Sequence, residues 1–106
     1  MLNAFIAHLI GDFILQNDWM AGKKKQNHFV CLVHVLVYLV PFLLCSLKWW
    51  QILLIGIQHF AQDRTEFVFW WLKNWKKVPE EYWKELPLYV DQAFHLVWIQ
   101  IVILSG

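Results

Sequence analysis

Three apolar stretches of the chain each carry an aspartate and a histidine four residues apart: His8 with Asp12, His59 with Asp63 and, in reversed order, Asp91 with His95. On a helix, residues i and i+4 share one face, so each pair presents its carboxylate and imidazole in the same direction. A fourth histidine, His34, sits in another apolar run, and Gln16, Gln58, Gln62 and Gln92 extend the polar stripes. Ionisable groups on otherwise apolar helices cost several kcal/mol unless they meet partners. The pattern therefore demands a fold that turns these stripes toward one another.

Composition identifies the surroundings. Of 106 residues, 59% are apolar and 16% charged, against roughly 45–50% and ~25% in an ordinary soluble domain. A chain this short buries only roughly two-thirds of its surface, which leaves too much apolar side chain for one water-facing core and points to a membrane protein. Eight Trp argue against disorder, the lack of heptads against a coiled coil, and two cysteines against a disulfide-stapled module. Cys31 and Cys45 lie on one apolar run, about 21 Å apart if helical, too far to bridge. A net charge of +1 argues against a nucleic-acid partner.

The expected fold class is all-α: a single domain over residues 1–106, an integral membrane bundle of four transmembrane helices with an amphipathic interfacial helix between the third and fourth. The spans are Leu2 to Gln16, short and able to cross only by local thinning of the bilayer, Phe29 to Leu47, Trp49 to about Asp63, and Leu86 to Leu104. Trp49 and Trp50 mark a headgroup boundary, and Pro87 suits a first helical turn. With no basic n-region or cleavage site before it, the first span reads as a retained helix. Lys23, Lys24 and Lys25 fall in the first loop, Arg64, Lys73, Lys76, Lys77 and Lys84 in the third, and Lys48 alone in the second. The positive-inside rule then puts the first and third loops in the cytoplasm and both termini outside. Between Arg64 and Lys84, Phe67, Trp70, Trp71 and Trp75 at helical spacing against Lys73, Lys76 and Lys77 give the interfacial helix.

Counted inward from the cytoplasmic boundary, Asp12, His34, His59 and Asp91 each fall about five residues deep, roughly 7–8 Å below the surface. Asp63 lies nearer the surface, and His8 and His95 one turn deeper. With no Lys or Arg expected at that depth, the carboxylates call for protons, protonated histidines or a metal cation. His8, Asp12, His34, His59, Asp63, Asp91 and His95 are suitable ligands for zinc, manganese or iron, and facing helices of a bundle are a known framework for one or two ions. Two other readings stand beside this one: a buried hydrogen-bonded network that holds the helices together, and a proton or ion path.

The string His8-Leu-Ile-Gly11-Asp12-Phe13-Ile-Leu-Gln16, followed by Trp19-Met20-Ala21 and Lys24, resembles the domain of unknown function family 3307, small integral membrane proteins of bacteria and phages. His34, the His59/Asp63 pair and Asp91-Gln92-x-x-His95 continue the resemblance over nearly the whole chain. That family tends to carry a basic residue three positions after the third-motif aspartate; here the position is Glu66, with Arg64 directly after Asp63. The resemblance implies a bacterial cytoplasmic (inner) membrane protein and brings no activity with it.

The functional expectation is a metal-dependent hydrolase holding one or two divalent ions, with His8, Asp12, His59 and Asp63 on one and His34, Asp91 and His95 on the other. Asp91 is the candidate general base, and Gln92 beside it orients substrate. A polar layer facing the cytoplasm under a lysine-rich rim suits membrane lipids, in particular an amphipathic or lipid-linked phosphate. The outer halves carry little polarity beyond Asn3 and Gln100, with Tyr38 between layers, which disfavours a through-path. A non-enzymatic membrane interaction protein is the remaining class, and homo-oligomerisation is compatible with all of them.

Overall fold

The computed structural model describes residues 2–106, apart from the side chain of Ala21, and is all-α with no strand among them. Helix α1 (Ala4–Leu9) runs into a single π turn (Ile10–Ile14). A short α2 (Asp18–Lys23) follows, then α3 (His28–Leu39), which tightens into a 3-10 turn (Val40–Leu44). Next come α4 (Trp49–Arg64), α5 (Phe67–Asn74), a 3-10 turn at Glu80–Tyr82, and α6 (Leu86–Leu104).

Helix starts follow local chemistry. Asn3, Asn17 and Asn27 each stand in extended backbone, and each side-chain oxygen accepts an N–H from the turn that follows. This satisfies donors that a helix start leaves orphaned. Pro87 lies in the first turn of α6, where its missing N–H costs nothing. Pro41 opens the 3-10 turn that ends α3, so the second apolar run is not one continuous helix to Leu47.

The four main helices alternate in direction. Leu2 N–H donates to Leu44 O, placing the start of α1 beside the end of α3. Gln51 at the start of α4 donates to Val102 O near the end of α6 at 3.1 Å. Both chain ends and the α3–α4 connection thus gather at one end of the bundle. Lys24, Lys25, Arg64 and α5 gather at the other, tied by Lys25 Nζ to the carbonyls of Asp63 and Thr65 and by Arg64 Nε to His28 Nδ1.

The bundle is polar inside. His8, Asp12, His34, Gln51, His59, Gln62, Asp63 and His95 are buried, whereas Leu36, Leu43, Leu44, Leu53, Ile57, Val97 and Leu104 are about half exposed or more. An apolar core of Ala4, Ala7, Tyr38, Phe42, Ile55, Ile99 and Val102 fills the end nearer the termini.

Several sequence expectations change. Among the described residues, only α6 is long and apolar enough to cross a membrane by length and composition; Ala4–Ile14 and His28–Leu44 are apolar but shorter, and the polar residues of α4 lower its hydropathy. Helix α2 was not expected. Asn17-Asp18 is a capping signal within a polar stretch, and it turns the chain back toward the bundle. The interfacial segment is α-helical only over Phe67–Asn74, with a 3-10 turn at Glu80–Tyr82. Val68 and Leu72 are buried while Trp70 and Trp75 face outward, and Trp71 packs edge-on against Phe94 of α6.

Candidate metal centre

Backbone geometry brings α1 close enough to matter. The π turn at Ile10–Ile14 is a distortion often found at functional positions, and it seats Gly11 against α3. A Cβ there would lie 2.7 Å from the Tyr38 carbonyl oxygen. No side chain fits without parting the helices. His8 and Asp12 flank this contact and reach the bundle axis.

Asp12, His34, His59 and Asp63 each offer a ligand atom to one small volume, all four lying within 4.8 Å of one another. His34 Nε2 is 2.9 Å from His59 Nε2. Asp63 Oδ2 is 2.9 Å from His34 Nε2 and 3.0 Å from His59 Nε2, and Asp12 Oδ1 is 3.4 and 3.7 Å from the same two nitrogens. Ligand atoms at the corners of a tetrahedron around a zinc-sized ion stand about 3.3 Å apart. The five spacings bracket that value.

Hydrogen bonding leaves the centre incomplete. Asp12 Oδ1 is buried without a hydrogen-bond partner, as are His34 Nδ1 and His59 Nδ1. Asp12 Oδ1 lies near both imidazoles, but not in line for a hydrogen bond. An orphaned buried acceptor costs about 1–3 kcal/mol, and here it points at two nitrogens that themselves converge.

A second group, Asp12, Asp91 and His95, shares Asp12 with the first. His95 Nε2 is 3.2 Å from Asp63 Oδ1 and 3.6 Å from Asp91 Oδ2. The structure thus divides the ligands differently from the expected two sets, since His34 joins His59 and Asp12 is common to both groups. His8 stands outside them. Its Nδ1 meets the Tyr38 hydroxyl at 2.7 Å and its Nε2 meets Gln92 Oε1 at 2.6 Å. An amide oxygen can only accept, so Nε2 carries the proton and Nδ1 accepts from Tyr38.

Gln92 faces inward. Its amide nitrogen donates to Asp12 Oδ2 at 2.8 Å and to Asp91 Oδ2 at 3.3 Å, so in this state it positions two carboxylates and has no free group for a substrate. Gln62 donates to Asp91 Oδ1 at 2.8 Å and accepts from Gln58 Nε2 at 2.6 Å. Gln58 Oε1 lies 3.2 Å from His95 Nδ1.

Contrary to the sequence expectation, a lysine does reach the layer. Lys24 Nζ donates to Asp63 Oδ2 at 3.0 Å and to Gln16 Oε1 at 2.9 Å. Burial favours the neutral amine, but the carboxylates of Asp63, Asp12 and Asp91 outweigh it and raise the pKa, so the ammonium persists. Counting loop lysines as remote missed this, because α2 folds Lys24 back under the bundle. Tyr38 was also missed. Its ring stacks on His59 with centroids 3.7 Å apart, and the stacking continues from His59 to His95 at 4.1 Å. Only its single hydroxyl in an apolar run signalled the role.

The charges then stand as three carboxylates, Asp12, Asp63 and Asp91, against one ammonium among the described residues. With neutral imidazoles the excess is two negative charges, which one divalent cation or two protonated histidines would cancel.

Fold and site together define an all-α bundle organised round a buried His/Asp cluster that can hold a metal ion. The profile of the family described as "Protein of unknown function (DUF3307)" matches residues 1–105, and the chain belongs to that family. No curated protein and no solved structure matches it.

Proposed function

We propose that this is a membrane-embedded, metal-dependent hydrolase acting from the cytoplasmic side on an amphipathic substrate with an anionic head, such as a phospholipid or a lipid-linked phosphate. The observation that carries the reading is the tetrad of Asp12 Oδ1, His34 Nε2, His59 Nε2 and Asp63 Oδ2, spaced for one ion and leaving Asp12 Oδ1 unpartnered. Zinc, manganese or iron fits this set of nitrogen and carboxylate donors. Such an ion acidifies water and polarises a phosphoryl or carbonyl oxygen.

The chain's own groups supply the rest. Asp91 is part-exposed at 18%, and it lines a 160 Å³ mouth with Asp63, Lys24 and Lys25. Gln62 and Gln92 each hold one of its oxygens, which aims the carboxylate as a general base. Lys24 keeps Asp63 in place and carries positive charge to the mouth, where it attracts an anionic head.

Membrane placement is supported by the polar interior and apolar exterior and by the apolar α6. Alternating helices that gather every lysine but Lys48 at one end add to it. The proposed placement is the bacterial inner membrane, multi-pass, with both termini outside; α1 through its π turn is only about 16 Å long, so the bilayer thins around it.

Elemental analysis of detergent-purified protein tests the core of the proposal. At least one zinc, manganese or iron per chain is expected, lost on Asp12→Ala combined with His59→Ala. Metal-free protein whose melting does not respond to added metal would leave a structural hydrogen-bond network as the better account.

A further inference from the structure

A groove of different chemistry abuts the cluster. Between α4 and α6, on the apolar flank of the bundle, lies an open groove of about 430 Å³ lined by Gln58, Gln62, Phe94, Val97, Trp98 and Ile101 among others. Trp98 Nε1 donates across to Leu54 O at 3.0 Å, closing its end toward the termini. Phe67 against Phe94, with centroids 5.1 Å apart, bounds the other end. The groove is mostly apolar, with Thr65 beside Phe67 and two glutamines at its floor. There Gln58 and Gln62 are bonded to each other and turned toward His95 and Asp91.

The charged mouth and this groove share a wall one side-chain contact thick. Asp91 lines the mouth, Gln62 lines the groove, and the two side chains meet at 2.8 Å. A ligand that reaches across this wall would set an anionic group against Lys24 and Lys25 at the mouth and a hydrocarbon in the groove. Neither this groove nor the comparable one between α3 and α4, bordered by Leu36, Leu53, Gly56 and Ile57, is lined by the His/Asp ligands themselves, but only the α4/α6 groove is lined by residues, Gln58 and Gln62, whose side chains bond to them. Apolar surface alone therefore does not distinguish the α4/α6 groove; its contact with the site through Gln58 and Gln62 does.

Building on the hydrolase reading, we infer that the α4/α6 groove binds one hydrocarbon chain of the substrate lipid and that the Gln58–Gln62 pair marks where chain gives way to head group. Specificity then rests on chain length as well as on the phosphate. Val97, 57% exposed in the groove wall, is the position where added bulk blocks the chain without touching Asp12, His34, His59, Asp63 or Asp91.

The test needs no turnover. Phosphatidate carrying a photoactivatable group in its acyl chain is added to the full chain in lipid nanodiscs, irradiated, and the adducts are mapped by mass spectrometry. Labelling is expected to concentrate on Val97, Trp98 and Ile101, and to fall at least tenfold in Val97→Trp while remaining in Leu36→Trp, which fills the α3/α4 groove. Equal labelling of both grooves, or labelling that Val97→Trp does not reduce, overturns the inference. Turnover of long-chain and short-chain lipid phosphates by the metal-loaded protein is read in parallel. Groove labelling without turnover removes the hydrolase and leaves the chain site standing. Turnover with uniform labelling does the reverse.

Discussion

Replacing Asp12 by Asn separates an ion site from a network of charged histidines, because the two readings give opposite signs. The substitution keeps shape, and the amide oxygen can still accept from Gln92 at the position where Asp12 Oδ2 does so at 2.8 Å. Its NH2 then takes the place of Oδ1, the buried oxygen without a partner, and removes one of the two excess negative charges of the cluster. Removing an orphaned buried acceptor is worth about 1–3 kcal/mol, so the metal-free Asp12→Asn protein is expected to be as stable as the parent or more so by that amount. With metal the order reverses. Loss of a charged ligand should weaken affinity by at least about 100-fold, beyond the roughly 10–100-fold cost of losing a group outside the ligand set. At a metal concentration 100 times the parental Kd, stabilisation of about 2.7 kcal/mol then falls to about 0.4 kcal/mol. Thermal melts of detergent-solubilised protein with chelator and with zinc or manganese measure both quantities. If instead a protonated His34 bridges Asp12 and Asp63, the Asp12→Asn change breaks a buried charge pair and should lose about 3–5 kcal/mol without any metal. That result, with no response to metal in either protein, would refute the ion site.

Three further outcomes are expected. Gly11→Ala places a Cβ 2.7 Å from the Tyr38 carbonyl oxygen and should cost roughly 1–3 kcal/mol by parting α1 from α3; an unchanged denaturation midpoint would mean that the close approach is not needed. Asp91→Asn should retain fold and metal while lowering turnover of a lipid phosphate by about 10²–10⁴, whereas full activity in single-turnover assays would remove Asp91 from the role of base. Single cysteines introduced at Lys76 and Gly106, on a background with Cys31 and Cys45 replaced, should be labelled from opposite sides of the membrane, Lys76 from the cytoplasm; labelling of both from one side would undo the proposed topology.

The i,i+4 pairs made much of this legible. A polar stripe on an apolar helix has no stable place except against another such stripe, so His8/Asp12, His34, His59/Asp63 and Asp91/His95 could be assigned to one layer from their spacing. Other features depend on geometry that residue spacing does not encode. The grouping of ligands was not legible, because which imidazole reaches which carboxylate depends on helix rotation, and the π turn at Ile10–Ile14 alters that rotation for Asp12. Lys24 was hidden by the unforeseen α2, whose six residues carry the ammonium back to Asp63. Gln92 sits beside Asp91 in sequence and so looked like a substrate-facing group, yet the helix turns its amide to His8 and Asp12. Tyr38 lies one turn after His34, but its value comes from stacking on another helix.

The cluster draws its donors from four helices spread along the chain, which, for the proposed multi-pass placement, ties their insertion to one another. Asp12 arrives on the π turn that continues α1, His34 on α3, Asp63 on α4, and Asp91 with His95 only on α6. In a bilayer each aspartate carried in singly costs up to about 2.5–3.5 kcal/mol, the value at the bilayer centre on insertion scales, and α1 is too short to offset that with apolar length. Neither α1 nor α4 should settle independently during synthesis; each needs the opposite stripes to be present. A chain stopped at Glu85, before α6, should be stripped from membranes by alkaline carbonate, while the chain carrying α6 should resist it. Biogenesis would then be all-or-none, with the last of the four helices deciding whether the first three stay.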